Sequence, residues 1–429
     1  LAAVHRSKGR YGLAFVEHST GEFRLTEFAD RESLEDELAR LRPSELLFSE
    51  EQAAEFDLLA RAQSYDAYPF LHEQAEYTLK RHFDVQSLDG YGCAGLFPAV
   101  GAAGAILHYV ETQLRRSVGH LRSLQAYRTE AHLLIDAASQ SNLDLVTSRS
   151  GGVKSSLLGA LDRTKTPMGA RKLRHWLLHP LRDLPALVAR QDFVAALIAE
   201  PFLLNALRED FAEVRDIERT LSRLSQGSGN ARDLKSLELS LRRVPDVREH
   251  LSALGGGSFG ENLVRRLGDF TELCELLGRA LVPEPPAVLK EGGIFAGGYS
   301  AAIDELRRAA TDGKQWVAEL QTREQERTGI SSLKVKYNAV FGYFIEITNA
   351  HLEKAPLEYT RKQTLANAER FTTPELKEVE SKILGADERL RVLEYEEFLN
   401  LRETVLEHLA AIQETASALA EIDVLAAQP

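Results

Sequence analysis

The residues best suited to a chemistry lie between Ser331 and Thr373. Lys334 and Lys336 alternate with Leu333, Val335 and Tyr337, and further on comes Tyr359-Thr-Arg-Lys-Gln-Thr-Leu-Ala-Asn-Ala-Glu-Arg-Phe371. Arg361, Lys362, Gln363, Thr364, Asn367 and Arg370 are residue types that hold phosphate oxygens without reading bases. Over 331–373 the six cations Lys334, Lys336, Lys354, Arg361, Lys362 and Arg370 meet four carboxylates, Glu346, Glu353, Glu358 and Glu369. The whole chain carries a net charge of −12, with 52 Lys and Arg against 64 Asp and Glu. That balance argues against wholesale coating by nucleic acid. It leaves room for a local site, because exposed charges are screened beyond about 10 Å at 0.1 M salt. On chemistry alone, a solvated turn is an equal reading of 359–371.

Other chemistries are weaker. Glu17, Glu22 and Asp30 flank the first strands, where a metal-dependent nuclease of the RNase H type would keep its acids. Such chemistry needs acids from separate strands converging on two cations about 4 Å apart, and strand-turn acids facing water are commoner. His175 and His179 share an i, i+4 helix face, but no HExxH glutamate accompanies them and Pro180 ends the helix. Arg171-Lys-Leu-Arg-His175 reads as a helix face rather than a nucleic-acid contact. Gly90-Tyr-Gly-Cys-Ala-Gly95 matches G-x-G-x-x-G without a convincing preceding strand, and the lysine of Gly151-Gly-Val-Lys-Ser-Ser156 is out of register for a phosphate loop. Both read as loops, so neither a nucleotide site nor a cofactor is expected. Cys93 and Cys274 are too few for a zinc site or a disulfide framework, which suggests a reducing compartment.

Elements must carry these residues. Residues 1 to about 121 read as α/β, with strands at 1–4, 12–17, 22–27 and 45–48, a helix over 31–40 and an apolar helix over 101–111. From about 122 to 321 the pattern is helical, through the cluster Leu133, Leu134 and Ile135 and helices at 193–198, 214–224, 234–244 and 263–277. The glycines within 254–260 suggest a flexible surface connection. A charged helix over 302–327 leads to a hairpin at 333–348, whose Tyr343, Ile345 and Ile347 share one apolar face while the lysines take the other. Thr373-Pro-Glu375 opens a further helix, with Pro in the first turn. Leu376, Val379, Ile383, Ala386, Leu390 and Leu393 then recur at steps of three and four. The seam slips through Glu397, Leu401 and Val405 before resuming at Leu409, as a stutter does. This helix is expected to run some 50 residues, on the order of 75 Å, antiparallel to the ascending one, with the hairpin at the tip of the arm. No apolar run reaches the roughly 18 residues of a membrane span, and the opening at Leu1 reads as a piece of a longer protein.

Lys334-Val-Lys-Tyr-Asn-Ala-Val-Phe-Gly-Tyr343, Arg361-Lys-Gln-Thr-Leu-Ala-Asn-Ala-Glu-Arg-Phe371 and Thr373-Pro-Glu-Leu-Lys377 together resemble the clamp segment of the bacterial MutS family of DNA mismatch repair proteins. Thr166-Pro-Met-Gly-Ala-Arg-Lys-Leu-Arg-His-Trp-Leu177, Pro180-Leu181, Glu284-Pro-Pro286 and Glu291-Gly-Gly293 extend the likeness, and Ser19-Thr-Gly-Glu-Phe23 resembles the family's connector. The resemblance covers essentially the whole chain. It implies a multidomain, mainly α protein: an RNase H-like α/β connector without nuclease activity at 1–121, a helical core and lever at 122–321 and 374–429, and a small β clamp inserted at 322–373 on long antiparallel helices.

The same resemblance implies that the clamp grips the duplex DNA backbone through Lys362 and Asn367, with Arg361 and Arg370 as neighbouring candidates beside Lys334 and Lys336. The sequence departs from the family at Ala366, where relatives often carry Lys, and at Lys336, where many have Gly. One phosphate ligand is thus missing at 366 and another is added at 336. The connector is implied to dock a MutL-type partner. In full length the family is a cytoplasmic, nucleoid-associated homodimer that reads mismatches and uses ATP and Mg. No segment here resembles the mismatch reader or the ATPase, so the fragment itself is not expected to be an enzyme. Two alternatives stand beside this: a junction-binding relative that lacks the mismatch reader, and a structural coiled-coil protein in which the hairpin is only a cap.

Overall fold

The computed structural model describes residues 1–427 apart from 58, 117, 123, 128–131, 134, 149 and 339–341. Leu134 of the expected apolar cluster and the hairpin turn at 339–341 therefore lie outside the described residues. Two units divide the chain, one made of Leu1–Leu277 with Arg402–Pro429 and the other of Gly278–Leu401. Helix predominates, and sheet is confined to one small region in each unit.

In the first unit, strands β1 (Ala2–Ser7), β2 (Arg10–Glu17), β3 (Glu22–Phe28), β4 (Leu46–Ser49), β5 (Ala62–Tyr65) and β6 (Gln125–Ala126) form a sheet in the order β5-β4-β1-β2-β3-β6. β1, β2 and β3 are an antiparallel meander, while β4 and β6 join it in parallel at either side and β5 runs parallel to β4. Alternation along β1 decides the layers. Ala2 and Val4 face Leu34 and Leu38 of helix α1 (Arg31–Leu41) and Phe56 of the short α2 (Ala53–Phe56). Ala3 faces the opposite layer, helices α3 (His72–Phe83) and α4 (Phe97–Thr112), with Leu79 and Ile106. Because both faces are covered, β4 is buried throughout and apolar over Leu46, Leu47 and Phe48, with only Ser49 polar.

The sequence pattern does not anticipate β5 or α3. β5 is a polar edge strand, and α3 buries only Ala75, Thr78 and Leu79, too small a face to show a clear period.

The first unit continues through α5 (Ala137–Asn142), α6 (Leu157–Leu161), α7 (Pro167–Leu178), α8 (Leu184–Ala199), α9 (Pro201–Glu213), α10 (Ile217–Ser225), α11 (Ala231–Leu241), α12 (Val244–Leu254), α13 (Gly257–Arg266) and α14 (Thr271–Ala280). Residues 255–257 all have positive φ and make the expected surface connection between α12 and α13 as a tight turn. One expectation is corrected here. The helix expected over 263–277 is split, because Arg248 draws the carbonyls of Leu267 (2.6 Å) and Gly268 (2.5 Å) out of the helical ladder.

In the second unit, α15 (Ala301–Thr328) and residues 374–401 of α16 (Pro374–Glu407) run antiparallel. Ion pairs fix their register: Arg307 to Glu394 at 2.5 Å, Lys314 to Asp387 at 3.8 Å and Arg323 to Glu375 at 3.0 Å. Between them in sequence, β7 (Lys334–Asn338), β8 (Gly342–Thr348), β9 (Thr360–Thr364) and β10 (Ala368–Thr372) form an antiparallel sheet ordered β7-β8-β10-β9. Leu333, Ile345, Ile347 and Phe371 pack with Val317 and Leu320 of α15 and Leu376 and Ile383 of α16. The segment 359–371 is thus a second hairpin of the same sheet, not a solvated turn beyond the first. The polar run Thr-Arg-Lys-Gln-Thr of β9 hides it from a pattern search.

The expected single helix of some 50 residues is two. α16 stops at Glu407 and α17 (Leu409–Ala427) follows, with His408 in a turn between them. The His408 N–H bonds Val405 O at 3.1 Å, a tightened i−3 contact where the apolar seam slips. Beyond the break Leu409, Ile412, Ala416 and Leu419 are all buried, as their spacing predicts.

Candidate nucleic-acid interface

Strand alternation sorts the second unit's sheet into two faces. Lys334 and Lys336 lie opposite Glu346 and Phe344, and Arg370 lies opposite Glu346 from the other side. Gln363 stands opposite Arg370 on β9. Lys334, Lys336, Glu346, Arg370 and Gln363 give this face its polar groups, with Phe344 buried beside Arg370, while Leu333, Val335, Ile345, Ile347 and Phe371 turn inward onto α15 and α16. The sequence reading of one apolar and one cationic face holds for Leu333, Val335 and the two lysines, but Tyr337 of the expected apolar face is half exposed and Phe344 is buried on the lysine side.

Where the cations go is less uniform. Lys336 Nζ reaches Glu346 Oε1 at 2.7 Å, and Arg370 Nε lies 3.5 Å from Glu346 Oε2. Arg370 also donates to Gln363 Oε1 at 2.7 Å, and its guanidinium lies 4.2 Å from the centroid of the Phe344 ring. The Lys336 ammonium, with the Arg370 guanidinium behind it, holds the Glu346 carboxyl below the usual carboxylate range. Arg361 Nε lies 2.8 Å from Glu369 Oε2, yet that oxygen has no aligned hydrogen bond, so the pair is a charge contact rather than a directed one. Among the described residues, Lys334, Lys362 and Asn367 have no ion-pair or hydrogen-bond partner for their side chains. Of the six residues expected to contact phosphate, three are therefore committed within the sheet and three are not.

The β9–β10 turn is held from outside. Leu365 N–H donates to Ala368 O at 2.8 Å, closing it. Asn349, which follows β8, donates its backbone N–H to Asn367 O at 3.1 Å and its side-chain amide to Ala366 O at 2.9 Å. With both carbonyls pinned, Asn367 presents an exposed side chain at the turn, while Lys362, half-buried, lies within β9. Asn349 does not stand out in the sequence, since nothing local marks it as the partner of a turn further along the chain. Gly342, at φ +69°, opens β8 where an added Cβ would collide with the Glu380 carboxylate that accepts the Tyr343 N–H at 3.1 Å. That contact ties the start of the strand to α16.

The other candidates are used locally. Glu17 accepts from the Ser19 hydroxyl at 2.7 Å, Glu22 pairs with Arg24 at 2.8 Å, and Asp30 caps α1 by accepting from Ser33 N–H at 2.8 Å. Among the described residues no three His, Cys, Asp or Glu side chains are grouped to hold a metal ion. His175 and His179 stack at 4.1 Å, and burial pushes their imidazoles down to about 2 and about 3. Arg171 pairs with Asp216 at 2.7 Å and Glu218 at 2.6 Å, and Lys172 reaches Ser417 Oγ at 3.3 Å, so that helix face is occupied inside its own unit. Gly90 to Gly95 and Gly151 to Ser156 are loops built on short 3₁₀ turns. Cys93 and Cys274 are free, buried thiols, which burial pushes up to about 11. No helix among the described residues is long and apolar enough to cross a membrane.

Comparison with known proteins agrees along nearly the whole length. Residues 1–122 match the family described as MutS domain II, and residues 138–428 match MutS domain III. The chain is 42% identical over 437 residues to the DNA mismatch repair protein MutS of Symbiobacterium thermophilum, covering 99% of this chain and 50% of that protein. Against the protein of the same name from Halothermothrix orenii it is 39% identical, covering 99% of this chain and 48% of the relative. For that of Methanosarcina barkeri the figures are 42%, 96% and 47%. The chain thus spans about half the length of the curated relatives it matches.

Proposed function

The chain belongs to the MutS family, and we propose that its direct action is to hold duplex DNA by backbone phosphates at the β9–β10 turn, with Lys362 and Asn367 as the main contacts. The observation that carries this reading is the uncommitted state of those two side chains, on β9 and on the turn that follows it, which Asn349 pins. A cation with no internal partner gives up no ion pair when it meets a phosphate, and a charge-assisted bond to the phosphate is the stronger kind. Lys334, exposed on the polar face, is the natural second contact. Arg361, Arg370 and Lys336 stand nearby but begin paired.

In this account residues 1–121 are an RNase H-like connector, an assignment supported by the strand order β5-β4-β1-β2-β3 with a meander at its centre. Residues 122–321 and 374–429 are the core and lever, and 322–373 the clamp. Mismatch-containing duplex as substrate, ATP with Mg, a homodimer, a MutL-type partner at the connector and a cytoplasmic, nucleoid-associated setting belong to the proposal for the whole protein. This chain supplies grip and transmission, not ATP hydrolysis. With Ala at 366, the turn offers one cation fewer than a lysine there would.

The test is the double variant Lys362→Ala, Asn367→Ala measured on duplexes of unrelated sequence. Binding is expected to weaken equally on all of them, with the log K against log salt slope shallower by about 0.9 for each phosphate no longer neutralised. Weakening confined to one sequence, or none, contradicts the assignment.

A further inference from the structure

We infer that Glu346 and Glu369 limit how many phosphates the clamp sheet can hold, by keeping Lys336, Arg370 and Arg361 in pairs within the sheet. The inference rests on the backbone-gripping reading and adds its control. Glu346 sits where two cations converge: Lys336 Nζ at 2.7 Å on one oxygen and Arg370 Nε at 3.5 Å from the other. A phosphate would seek that same point, and a carboxylate already fills it with like charge. Only 19% of the Glu346 side chain is exposed, and Arg370 is further tied by Gln363 and the Phe344 ring, so the cluster is packed rather than loosely solvated.

Glu369 masks the third cation in a different way. Its side chain is 8% exposed while that of Arg361 is 63% exposed, so an inward carboxylate holds an outward guanidinium beside Lys362. For a phosphate to take either cation set, an ion pair must open and leave its carboxylate uncompensated near the incoming negative charge. The result is a clamp with six cationic or amide candidates but few available ones, whose grip depends less steeply on salt than it would with every cation on a phosphate.

The experiment compares log K against log salt on one duplex for the 429-residue chain, Glu346→Gln, Glu369→Gln, and Glu346→Gln combined with Lys336→Met. Each freed cation that meets a phosphate should steepen the slope by about 0.9, so affinity should fall about 3.5-fold more between 50 and 200 mM salt. Glu346→Gln is expected to free one or two cations in this way and Glu369→Gln one. Adding Lys336→Met should take back one of those freed by Glu346→Gln. Should Glu346→Gln melt below the measuring temperature, Glu369→Gln decides the matter alone. Unchanged slopes in the glutamine variants, with a shallower slope in the Lys362 and Asn367 variant, overturn the masking role and leave the phosphate grip standing. A flat salt dependence in the unsubstituted chain overturns both.

Discussion

Replacing Asp423 by alanine is expected to destabilise the first unit by about 3 kcal/mol, since it strips a charged acceptor from buried donors. Asp423, near the end of α17, is almost wholly buried. Its carboxylate accepts from Lys165 N–H at 2.9 Å, Thr166 N–H at 2.8 Å and the Thr166 hydroxyl at 2.7 Å. Thr166 is in turn the N-cap of α7, accepting from Gly169 N–H at 2.9 Å with Pro167 in the first turn. The carboxylate also meets the positive end of the helix dipole. Gly169 leaves the space for it, because an added Cβ would fall onto the Asp423 carboxylate. Urea unfolding followed through the exchange of α7 amides measures the destabilisation, and Asp423→Asn should suffer less than alanine because one oxygen remains. A change under about 1 kcal/mol for alanine would show that water replaces the carboxylate.

The second large effect is expected in the other unit at Glu394. This side chain is fully buried on α16 and accepts from Gly293 N–H at 2.5 Å and from Arg307 at 2.5 Å. Arg307 holds Phe295 O at 2.8 Å as well, so one ion pair anchors the loop before α15 to both long helices. Removing one partner of such a pair leaves the other charge uncompensated, which costs about 3–5 kcal/mol for buried pairs. Arg307 is partly exposed, so the lower end applies to Glu394→Ala. Amide exchange at 293–295 should accelerate sharply, whereas Glu394→Gln should lie between. Unchanged exchange at those amides would mean that the loop is held by its apolar neighbours alone.

Both sites explain motifs that the sequence displays without their partners. Thr166-Pro-Met-Gly169 stands out by family likeness, but the acceptor that holds Thr166 lies 257 positions away. Glu291-Gly-Gly293 stands out in the same way, and the carboxylate that holds Gly293 is 101 positions distant. Local periodicity cannot carry such pairings. It carries the meander β1 to β3, helix α1, the ascending helix α15 and the first hairpin well, because alternation and three-four spacing follow from which side faces the core.

The candidate site divides in the same way. The phosphate-gripping residue types and the cationic face of the hairpin are legible from side-chain identity and alternation. That 359–371 closes back onto the sheet is not, since β9 has no apolar alternation and its fold depends on Phe371 packing beside Ile345. Charge counting treats Glu346 and Glu369 as mere offsets. Their geometry makes them partners of specific cations, and the opposition of Glu346 to Lys334 and its reach to Lys336 need the hairpin register to be seen.

The most direct test of the account is amide hydrogen exchange of the chain with and without saturating duplex DNA of arbitrary sequence. The prediction is added protection at 364–368, the turn that carries Asn367, and disappearance of that protection in the Lys362→Ala, Asn367→Ala variant. Protection that arises only in residues 1–122, or no change at the turn under saturating duplex, would contradict it.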